Sequence, residues 1–450
     1  MKSIIDFIKN SLSHKLNQDI AWTFVSFFIL AASGILMNVM IVLFRDSAAL
    51  GIFNLSYSIY LIGSQLAVIG IHNSVMRYSA YHKEDALERG NMLSSAAILT
   101  LIFGFAFGLG VYLATPLFEN IFGSAESARA IGYSGFGLML FPLNKVLISY
   151  INGLRHMRAL AILQTIRYIT VLLGVAIISV SDIDFTYATF SFFAAEILTT
   201  ILSLVYMAKS GLLQNMRLSR KWIKEHMVFG GKGALGSIFL DMNTRIDVLL
   251  IGMFLSDSAV GIYSFAAMLV DGLQHILSML RVNFNPVLVA TIRDKNWREA
   301  KKLLYYSKIY VFFGVILLSF MVIPAFYVFI SYFVADKSLL EGWKILAILF
   351  FTYIIISGFT PFDNLLLASG FPIHQTIQNM SIAIVNIILG LILIPALGIT
   401  GAAASTAISY LVGTSIMIFF SYKLLGWNMI SNTTPDNAGN GNINKNLESK

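Results

Sequence analysis

The stretch that decides the fold is residues 241–263, which read DMNTRIDVLLIGMFLSDSAVGIY. It places Asp241, Arg245 and Asp247 inside an apolar run that is long enough to cross a bilayer. A charge near the centre of a membrane helix costs about 2.5–3.5 kcal/mol on insertion scales, so charged side chains there usually face a protein-lined or hydrated interior. The stretch therefore predicts a spanning helix with a polar face, followed by a turn and the start of the next span.

The composition of the whole chain is that of a polytopic membrane protein. The 450 residues are 57% hydrophobic and 12% charged, whereas a soluble domain carries about 25% charged residues. Because one spanning helix needs about 20 apolar residues, the apolar runs predict an all-α protein with twelve transmembrane helices. Cysteine is absent, which excludes disulfides and thiolate metal sites. The net charge of +8 does not indicate nucleic-acid binding when it is spread over membrane loops.

The same pattern divides the chain into five segments. Residues 1–19 have helical apolar spacing and predict an amphipathic, cytoplasmic N-terminus, either on the membrane surface or as a short soluble helix that caps the bundle. Two sets of six spans, at 20–208 and 229–424, predict two six-helix lobes. A basic cytoplasmic linker at 209–228 joins them, and the Asn- and Gly-rich residues 425–450 predict a disordered cytoplasmic tail.

Lysine and arginine are distributed unevenly between the two sides of this topology. One side receives both termini and almost all the loop Lys and Arg residues, whereas the opposite loops hold only Arg45, Arg129, Lys337 and Lys344. Since basic loops stay in the cytoplasm, both ends of the chain are predicted to be cytoplasmic. The outer loops are short, which leaves no room for an extracytoplasmic domain.

The second six spans resemble the first six. Ala-Leu-Gly-Ile-Phe at 49–53 matches Ala-Val-Gly-Ile-Tyr at 259–263, and Phe-Pro-Leu-Asn-Lys at 141–145 corresponds to Thr-Pro-Phe-Asp-Asn at 360–364. A third match is Gln-Thr-Ile at 164–166 and 375–377. The preserved order predicts a duplication in which an axis along the membrane normal relates the halves, and transporters of this build bind substrate between them.

Ionisable residues inside the predicted spans are the candidate site. Asp241 and Arg245 are four residues apart on one predicted helix and share a face, so they form either a self-neutralising pair or part of a pathway. Asp271 and His275 have the same spacing, and Glu196 has no cation three or four residues away on its own helix. Unpaired charge of both signs predicts a hydrated central cavity rather than a dry core.

Several kinds of site are excluded by spacing. The glycines at 230–236 lack the Walker pattern and predict close packing at the start of the seventh helix rather than nucleotide binding. The histidines lack metal-ligand spacing, and no Ser-His-Asp arrangement or carboxylate pair is recognisable. The chain is therefore predicted to be neither an enzyme nor a metal or cofactor protein, and the expected energy source is either a gradient of H+ or Na+ or the consumption of the transported substrate.

The opening stretch also resembles a known family. Arg-Ile-Asp-Val-Leu-Leu-Ile-Gly-Met-Phe at 245–254, followed by Val-Gly-Ile-Tyr at 260–263, is similar to the seventh-helix signature of polysaccharide flippases. These belong to the multidrug/oligosaccharidyl-lipid/polysaccharide exporter (MOP) superfamily. The resemblance covers residues 15–425 and implies a twelve-helix fold like that of the multidrug exporters. It also implies a flippase that moves undecaprenyl-diphosphate-linked oligosaccharide units, such as the O-antigen units of lipopolysaccharide, to the periplasmic face of the bacterial inner membrane by alternating access.

This resemblance gives the buried charges a role, because a diphosphate-sugar headgroup needs a cation-bearing passage across about 30 Å of hydrocarbon. The candidate substrate-binding residues are Lys145, Arg167, Lys232, Arg245 and Arg281. The candidates for ion coupling, or for hydrogen bonds to sugar hydroxyls in the cavity, are Glu196, Asp241, Asp247, Asp271, His275 and Asp363. The implied partners are the lipid-linked oligosaccharide, membrane lipids, and a polysaccharide polymerase with its chain-length machinery.

Two alternatives stay open. A small-cation multidrug antiporter of the same superfamily would need a net acidic cavity, and the cations in the spans argue against it. A membrane-bound polysaccharide polymerase or ligase usually has a large outer loop with catalytic Arg or His, which this chain lacks. We also expect the C-terminal lobe to supply the more charged wall of the passage.

Overall fold

The structure is a computed structural model that describes residues 15–434. Side chains in this range are described except at positions 15–21, 23, 24, 27, 232–243, 282, 283 and 286. Most of the predicted amphipathic N-terminus, and the part of the predicted tail beyond 434, lie outside the described residues. Within 15–434 the chain forms helices, short 3₁₀ and π-helical turns and one isolated β-bridge, and no strand.

The helices in the first part of the described chain correspond to the first six predicted spans. They are α1 (Lys15–Phe44), α2 (Ser47–Val68), α3 (Ile71–Tyr81), α4 (Ala86–Leu113), α5 (Thr115–Phe122), α6 (Ala125–Gly153), α7 (Met157–Val180) and α8 (Phe190–Lys209). A 3₁₀ turn at Phe185–Thr189 leads into α8.

The helices in the second part correspond to the remaining predicted spans. They are α9 (Arg220–Asn243), α10 (Ile246–Phe254), α11 (Asp257–Arg293), α12 (Trp297–Tyr306), α13 (Phe312–Phe333), α14 (Gly342–Ile356), α15 (Leu365–Ala368), α16 (Pro372–Leu397) and α17 (Ile399–Leu425). A π-helical turn at Ser307–Val311 joins α12 to α13, and 3₁₀ turns occupy Lys337–Glu341 and Thr360–Phe362.

Among the described residues, nine helices are long and apolar enough to cross a membrane, and a tenth span results if the bent pair α2 and α3 is counted as one. Four of the nine fall in the first predicted six-span lobe and five in the second. The predicted first span lies in α1, and the predicted seventh is divided between α9 and α10. The polytopic all-α architecture is confirmed, whereas the count of twelve spans and the orientation of the termini stay predictions.

The second span is broken rather than continuous. Its two helices meet at an angle of 54°, and Ile69 and Gly70 between them both have positive φ, 46° and 69°. A Cβ on Gly70 would lie 2.6 Å from the carbonyl oxygen of Gly230, and a Cβ on Gly230 would lie 2.4 Å from that of Ile69. The middle of α9 therefore touches the bend backbone to backbone, which explains one member of the glycine cluster by packing.

The chain divides into two compact units, Met1–Gly261 and Ile262–Lys450. In the first unit, the start of α9 is anchored by buried polar contacts. The indole of Trp222 donates to Glu88 at 2.5 Å, and the His226 ring lies between the Ser74 hydroxyl at 2.8 Å and the Met92 carbonyl at 3.1 Å. The linker predicted at 209–228 thus already contains the first turns of a packed helix.

Two glycines at matched positions of the predicted repeat pack against each other within the first unit. A Cβ on Gly51 in α2 would lie 1.7 Å from the Asp257 carbonyl oxygen, and a Cβ on Gly261 in α11 would lie 1.8 Å from that of Ser47. Ser47 and Asp257 are themselves separated by the same 210 positions as the glycines. The starts of the second and eighth spans therefore cross at backbone contact, in a reciprocal arrangement that a duplicated chain would produce.

Two of the lysine and arginine residues in the predicted outer loops cap helix ends. Arg45 donates to the carbonyl oxygens of Ile178 and Ser179 in the last turn of α7 and of Ile183 just beyond it, at 2.9–3.1 Å. Lys337 donates to three carbonyl oxygens at the end of α13, at 2.6–3.0 Å. A cation near a helix C-terminus satisfies free carbonyls and complements the helix dipole. These exceptions to the charge asymmetry thus have a structural cause.

The described part of the predicted tail, up to residue 434, is ordered in the second unit. Trp427 and Met429 are fully buried, and the Lys308 ammonium donates to the carbonyls of Met429 and Ile430 at 2.6 and 2.9 Å. The prediction of disorder from residue 425 is therefore wrong for its first residues. The prediction relied on the polar composition of this segment and overlooked two apolar residues, Trp427 and Met429, that pack into the core of the second unit.

Candidate functional site

Glu196 is the centre of a buried polar cluster in the first unit. It lies on α8 with none of its surface exposed. One carboxylate oxygen accepts a hydrogen bond from the Tyr60 hydroxyl at 2.7 Å and contacts the Arg167 guanidinium at 2.7 Å. The other accepts from the Asn144 amide at 2.6 Å. Four helices, α2, α6, α7 and α8, thus each contribute one polar group.

The remaining groups of the cluster are also partnered. The Asn144 amide donates to the Glu196 backbone carbonyl at 2.8 Å, and its oxygen accepts from Thr200 at 3.0 Å. The Arg167 guanidinium lies 4.3 Å from the centre of the Phe141 ring. A buried charge is tolerated when it is paired and hydrogen-bonded, and this carboxylate is both.

This arrangement corrects one expectation. The absence of a cation near Glu196 on its own helix was interpreted as unpaired charge, but Arg167 reaches it from α7. Glu196 and Arg167 therefore form a neutral pair in a span. Arg167, whose side chain is 18% exposed, is committed to this pair in the present conformation.

Arg245 lies at a break in the predicted seventh helix. The helix α9 ends at Asn243 and α10 begins at Ile246, with Arg245 as the residue before it. The Arg245 guanidinium lies 5.6 Å from the centre of the Tyr57 ring, and its Nε is buried without a hydrogen-bond partner in the described part of the chain. Broken membrane helices mark substrate and ion sites in several transporter folds.

An aromatic cluster connects this cation to the Glu196 pair. The Tyr57 ring contacts Phe192 at a centroid distance of 5.7 Å, and Phe192 stacks on Tyr60 at 4.6 Å. Tyr57 and Tyr60 are three residues apart on α2 and therefore share a face. Sequence reasoning missed both tyrosines, because nothing in their spacing separates them from other aromatic residues in a span.

Other predicted residues in this part of the chain have different surroundings. The Lys145 ammonium donates to the Gln65 side-chain oxygen at 2.6 Å. Asp247 accepts a hydrogen bond from the backbone N–H of Val248 at 2.9 Å. The side chains of Lys232 and Asp241 lie outside the described ones, and the break after Asn243 interrupts the helical spacing on which an Asp241–Arg245 pair was predicted.

In the second unit, a polar contact joins Arg281 to Asp363 at 3.4 Å, and both side chains are about one-third exposed, at 33% and 38%. Asp271 and His275 share α11 as predicted, and His275 is exposed.

Two tyrosines, Tyr353 on α14 and Tyr410 on α17, form a second polar contact in this unit. The Gln274 amide donates to the hydroxyls of Tyr353 and Tyr410, to the latter at 3.0 Å. The described residues include no group of three or more His, Asp or Glu side chains that is placed to hold a metal ion.

Comparison with known proteins identifies relatives of the chain. A model of the polysaccharide biosynthesis protein family matches residues 16–291. The probable low-salt glycan biosynthesis flippase Agl15 of Haloferax volcanii is 23% identical over 369 residues, which are 77% of this chain and 74% of that protein.

Solved structures have the same fold. The lipid II flippase MurJ in an inward closed conformation matches with a TM-score of 0.71 at 18% identity, over 89% of this chain and 87% of that chain. An inward-facing multidrug transporter of the MATE family matches with a TM-score of 0.70 at 13% identity, over 91% and 99%. A MOP superfamily transporter from Pyrococcus furiosus matches with a TM-score of 0.61 at 14% identity, over 91% and 94%. The expected likeness to multidrug exporters is confirmed at the level of the fold.

Proposed function

Because the chain belongs to the polysaccharide biosynthesis protein family, we propose that it is a flippase for undecaprenyl-diphosphate-linked oligosaccharide units. The chain is a multi-pass membrane transport protein of the MOP superfamily and not an enzyme. In this proposal the protein moves O-antigen or similar surface-polysaccharide units, attached to their lipid, from the cytoplasmic to the periplasmic face of a bacterial inner membrane.

The observation that carries the proposal is Arg245 at the helix break. A guanidinium matches phosphate geometry with paired N–H donors. Arg245 offers a buried Nε without a partner among the described residues and lies over an aromatic ring, so an anionic group would satisfy this donor. Arg167 and Arg281, by contrast, already contact Glu196 and Asp363.

The proposal also includes the topology, the energy source and the partner proteins. Twelve spans with both termini in the cytoplasm would form two lobes that alternate access to the two faces. A gradient of H+ or Na+ would drive transport, with the ionisable residues of the spans as the candidate coupling groups. A polysaccharide polymerase and its chain-length machinery would receive the product on the periplasmic side.

A multidrug antiporter is the second candidate, and the match to a MATE-family transporter over 91% of the chain favours it. A cationic drug needs an unneutralised carboxylate, and Glu196 is neutralised by Arg167. The pairing of Glu196 with Arg167 therefore supports the lipid-linked glycan as the substrate class. A polymerase or ligase is the least favoured reading.

The test is complementation of a strain in which the gene is deleted. We expect lipid-linked units to accumulate on the cytoplasmic face without the protein, and Arg245→Ala to restore little surface polysaccharide at normal expression. Arg245→Lys should restore part of it, and Arg293→Ala, which alters a fully exposed arginine paired with its neighbour Asp294, should restore all of it. Undiminished delivery of lipid-linked units in the deletion strain would contradict the flippase, and drug sensitivity without a polysaccharide defect would favour the antiporter.

A further inference from the structure

An exposed stripe runs along the helix that α12, the π-helical turn and α13 form together, one apolar span from Trp297 to Phe333. Its members recur at helical spacing, and their side chains are 41–76% exposed. They are Tyr306, Tyr310, Phe313, Leu317 and Phe320. Large apolar side chains that stay exposed along one side of a membrane helix indicate a face that is turned to lipid rather than to a hydrated passage.

The opposite side of this helix is fixed by packing in the second unit. Ala300 and Leu304 are fully buried, and they belong to a hydrophobic cluster that includes Trp427. The Ser307 hydroxyl donates to the carbonyl oxygen of Gly358 at 2.8 Å. The helix cannot turn about its axis without breaking these contacts, so its lipid-facing side is defined.

The chemistry of the stripe changes towards the start of α12. Phenylalanine and leucine are followed by two tyrosines, and the positions one and two turns further on are Lys302 and Arg298. Tyr306 stacks on Tyr310 with ring centres 5.7 Å apart, and the Lys302 ammonium lies 5.9 Å from the centre of the Tyr306 ring. This order of apolar, aromatic and cationic groups matches the hydrocarbon, interface and headgroup layers of one leaflet.

The spacing of the tyrosines gives the depth of the cations. Tyr306 and Tyr327 are both exposed, and their separation of 21 positions corresponds to about 32 Å at about 1.5 Å per residue. This length matches a hydrocarbon core of about 30 Å, and tyrosine is enriched at both membrane interfaces. Lys302 lies about 6 Å further on, within a headgroup layer of about 5–8 Å. It lies at the end of the span opposite Lys337, and therefore on the predicted cytoplasmic side.

No ion pair joins either of these two cations to a carboxylate in the described part of the chain. The acidic side chains nearby have other partners. Asp294 pairs with Arg293 at 2.8 Å, and Glu299 accepts a hydrogen bond from the Asn296 amide at 3.1 Å. Both cations are exposed. Exposed cations at headgroup depth are complementary to the phosphate of an anionic lipid.

From this arrangement we propose that Lys302 and Arg298 bind the phosphate of an anionic phospholipid of the phosphatidylglycerol type, in the leaflet on the predicted cytoplasmic side. The ammonium and the guanidinium donate to the phosphate oxygens from successive turns of α12. The rings of Tyr306 and Tyr310 lie along the glycerol and the first acyl carbons. Because the stripe faces the bilayer, this lipid is a resident of the membrane and not cargo. The inference does not rest on the proposed function.

The direct test titrates phosphatidylglycerol into the purified full-length protein in detergent and measures bound lipid by native mass spectrometry. Each cation near an anionic lipid surface contributes about 1 kcal/mol, which corresponds to about fivefold in affinity. We therefore expect Lys302→Gln to weaken phosphatidylglycerol binding about fivefold, and the double variant Arg298→Gln with Lys302→Gln to weaken it about twentyfold or more. Lys302→Arg should bind nearly as well as the wild type.

Lys295→Gln is the matched control. Lys295 is also exposed, but it lies in the turn before α12 and outside the stripe, so this variant should bind phosphatidylglycerol normally. All the substituted side chains are exposed, and the melting temperatures in lipid-free detergent should therefore equal that of the wild type. A loss of bound lipid then reports on the position and not on the fold.

Four results would overturn the inference. Unchanged phosphatidylglycerol affinity in the double variant would exclude the position, and an equal loss in Lys295→Gln would show that only the overall charge matters. Equal affinity of the wild type for phosphatidylcholine would exclude recognition of an anionic lipid. Displacement of the bound phosphatidylglycerol by farnesyl diphosphate at equal concentration would assign the position to a prenyl-linked lipid instead.

Discussion

Replacing Glu196 by glutamine removes the negative charge of the buried pair and leaves the Arg167 cation in a span. The glutamine amide can still accept from Tyr60, but its NH2 group then faces the Asn144 amide, which is also a donor. Removing one partner of a buried ion pair costs about 3–5 kcal/mol. Because Glu196 has no exposed surface, we expect a loss of about 3 kcal/mol or more on that scale.

The double variant Glu196→Gln with Arg167→Met removes both charges and isolates the pair. Neutralising both partners avoids the uncompensated charge, so the double variant should be more stable than Glu196→Gln alone. The coupling energy should then be about 2–3 kcal/mol. Unfolding in mixed detergent micelles, followed by the fluorescence of the five tryptophans, measures the stability of the wild type, the two single variants and the double variant.

The contact between Arg281 and Asp363 is the internal control. Its distance is 3.4 Å and its side chains are about one-third exposed, and exposed pairs contribute about 0–1 kcal/mol. The equivalent cycle there should give a coupling below about 1 kcal/mol. If the two single losses at Glu196 and Arg167 simply add in the double variant, the pair is not coupled and the reasoning is refuted.

Three further predictions concern packing, titration and capping. Gly51→Ala and Gly261→Ala should each lower stability by about 1–3 kcal/mol because the new methyl group meets backbone. Gly110→Ala is the control, because this glycine has open space around it, and it should leave stability unchanged. Equal melting temperatures for all three variants would contradict the backbone contact between α2 and α11. Burial lowers the pKa of His226, so its neutral ring contributes fully to stability above the unfolded pKa of about 6.5. This contribution is lost as the pH falls from there towards the folded pKa. The melting temperature should therefore drop between pH 7.5 and 5.5, and His226→Gln should reduce that drop. Arg45→Met should cost about 1.5–3 kcal/mol through lost charge-assisted bonds to carbonyls, and an unchanged melting temperature would show that water replaces the cap.

Hydropathy predicted most spans correctly because each is a continuous apolar run, and burial in lipid requires every backbone group to be bonded within a helix. The breaks at Ile69 and before Arg245 were not predicted. Neither has a proline, and the first depends on a contact with another helix, the touching backbones of Gly70 and Gly230. Local sequence carries no signal for such tertiary contacts.

The candidate residues were found more easily than their partners. An ionisable residue in an apolar run is conspicuous, so Glu196, Arg167 and Lys145 could all be named from the sequence. Pairing rules based on three- or four-residue spacing concern only one helix, however, and the partners of Glu196 and Lys145 come from other helices. Unpaired charge was therefore overestimated.

The two halves of the predicted duplication share glycines that backbone packing requires, but they do not share the buried polar cluster. Gly51 and Gly261 occupy matched positions, and neither can accept a Cβ without moving the other helix, so packing keeps both as glycine. The polar cluster has no such constraint: by the same match, Arg167 corresponds to Gln378, which is buried without being charged. The buried ion pair with Glu196 thus belongs to the first half, and the second half has an uncharged glutamine at the position that matches Arg167. Because this pair joins α7 to α8, the double-variant cycle at Glu196 and Arg167 measures how much the contact contributes to holding these two helices together.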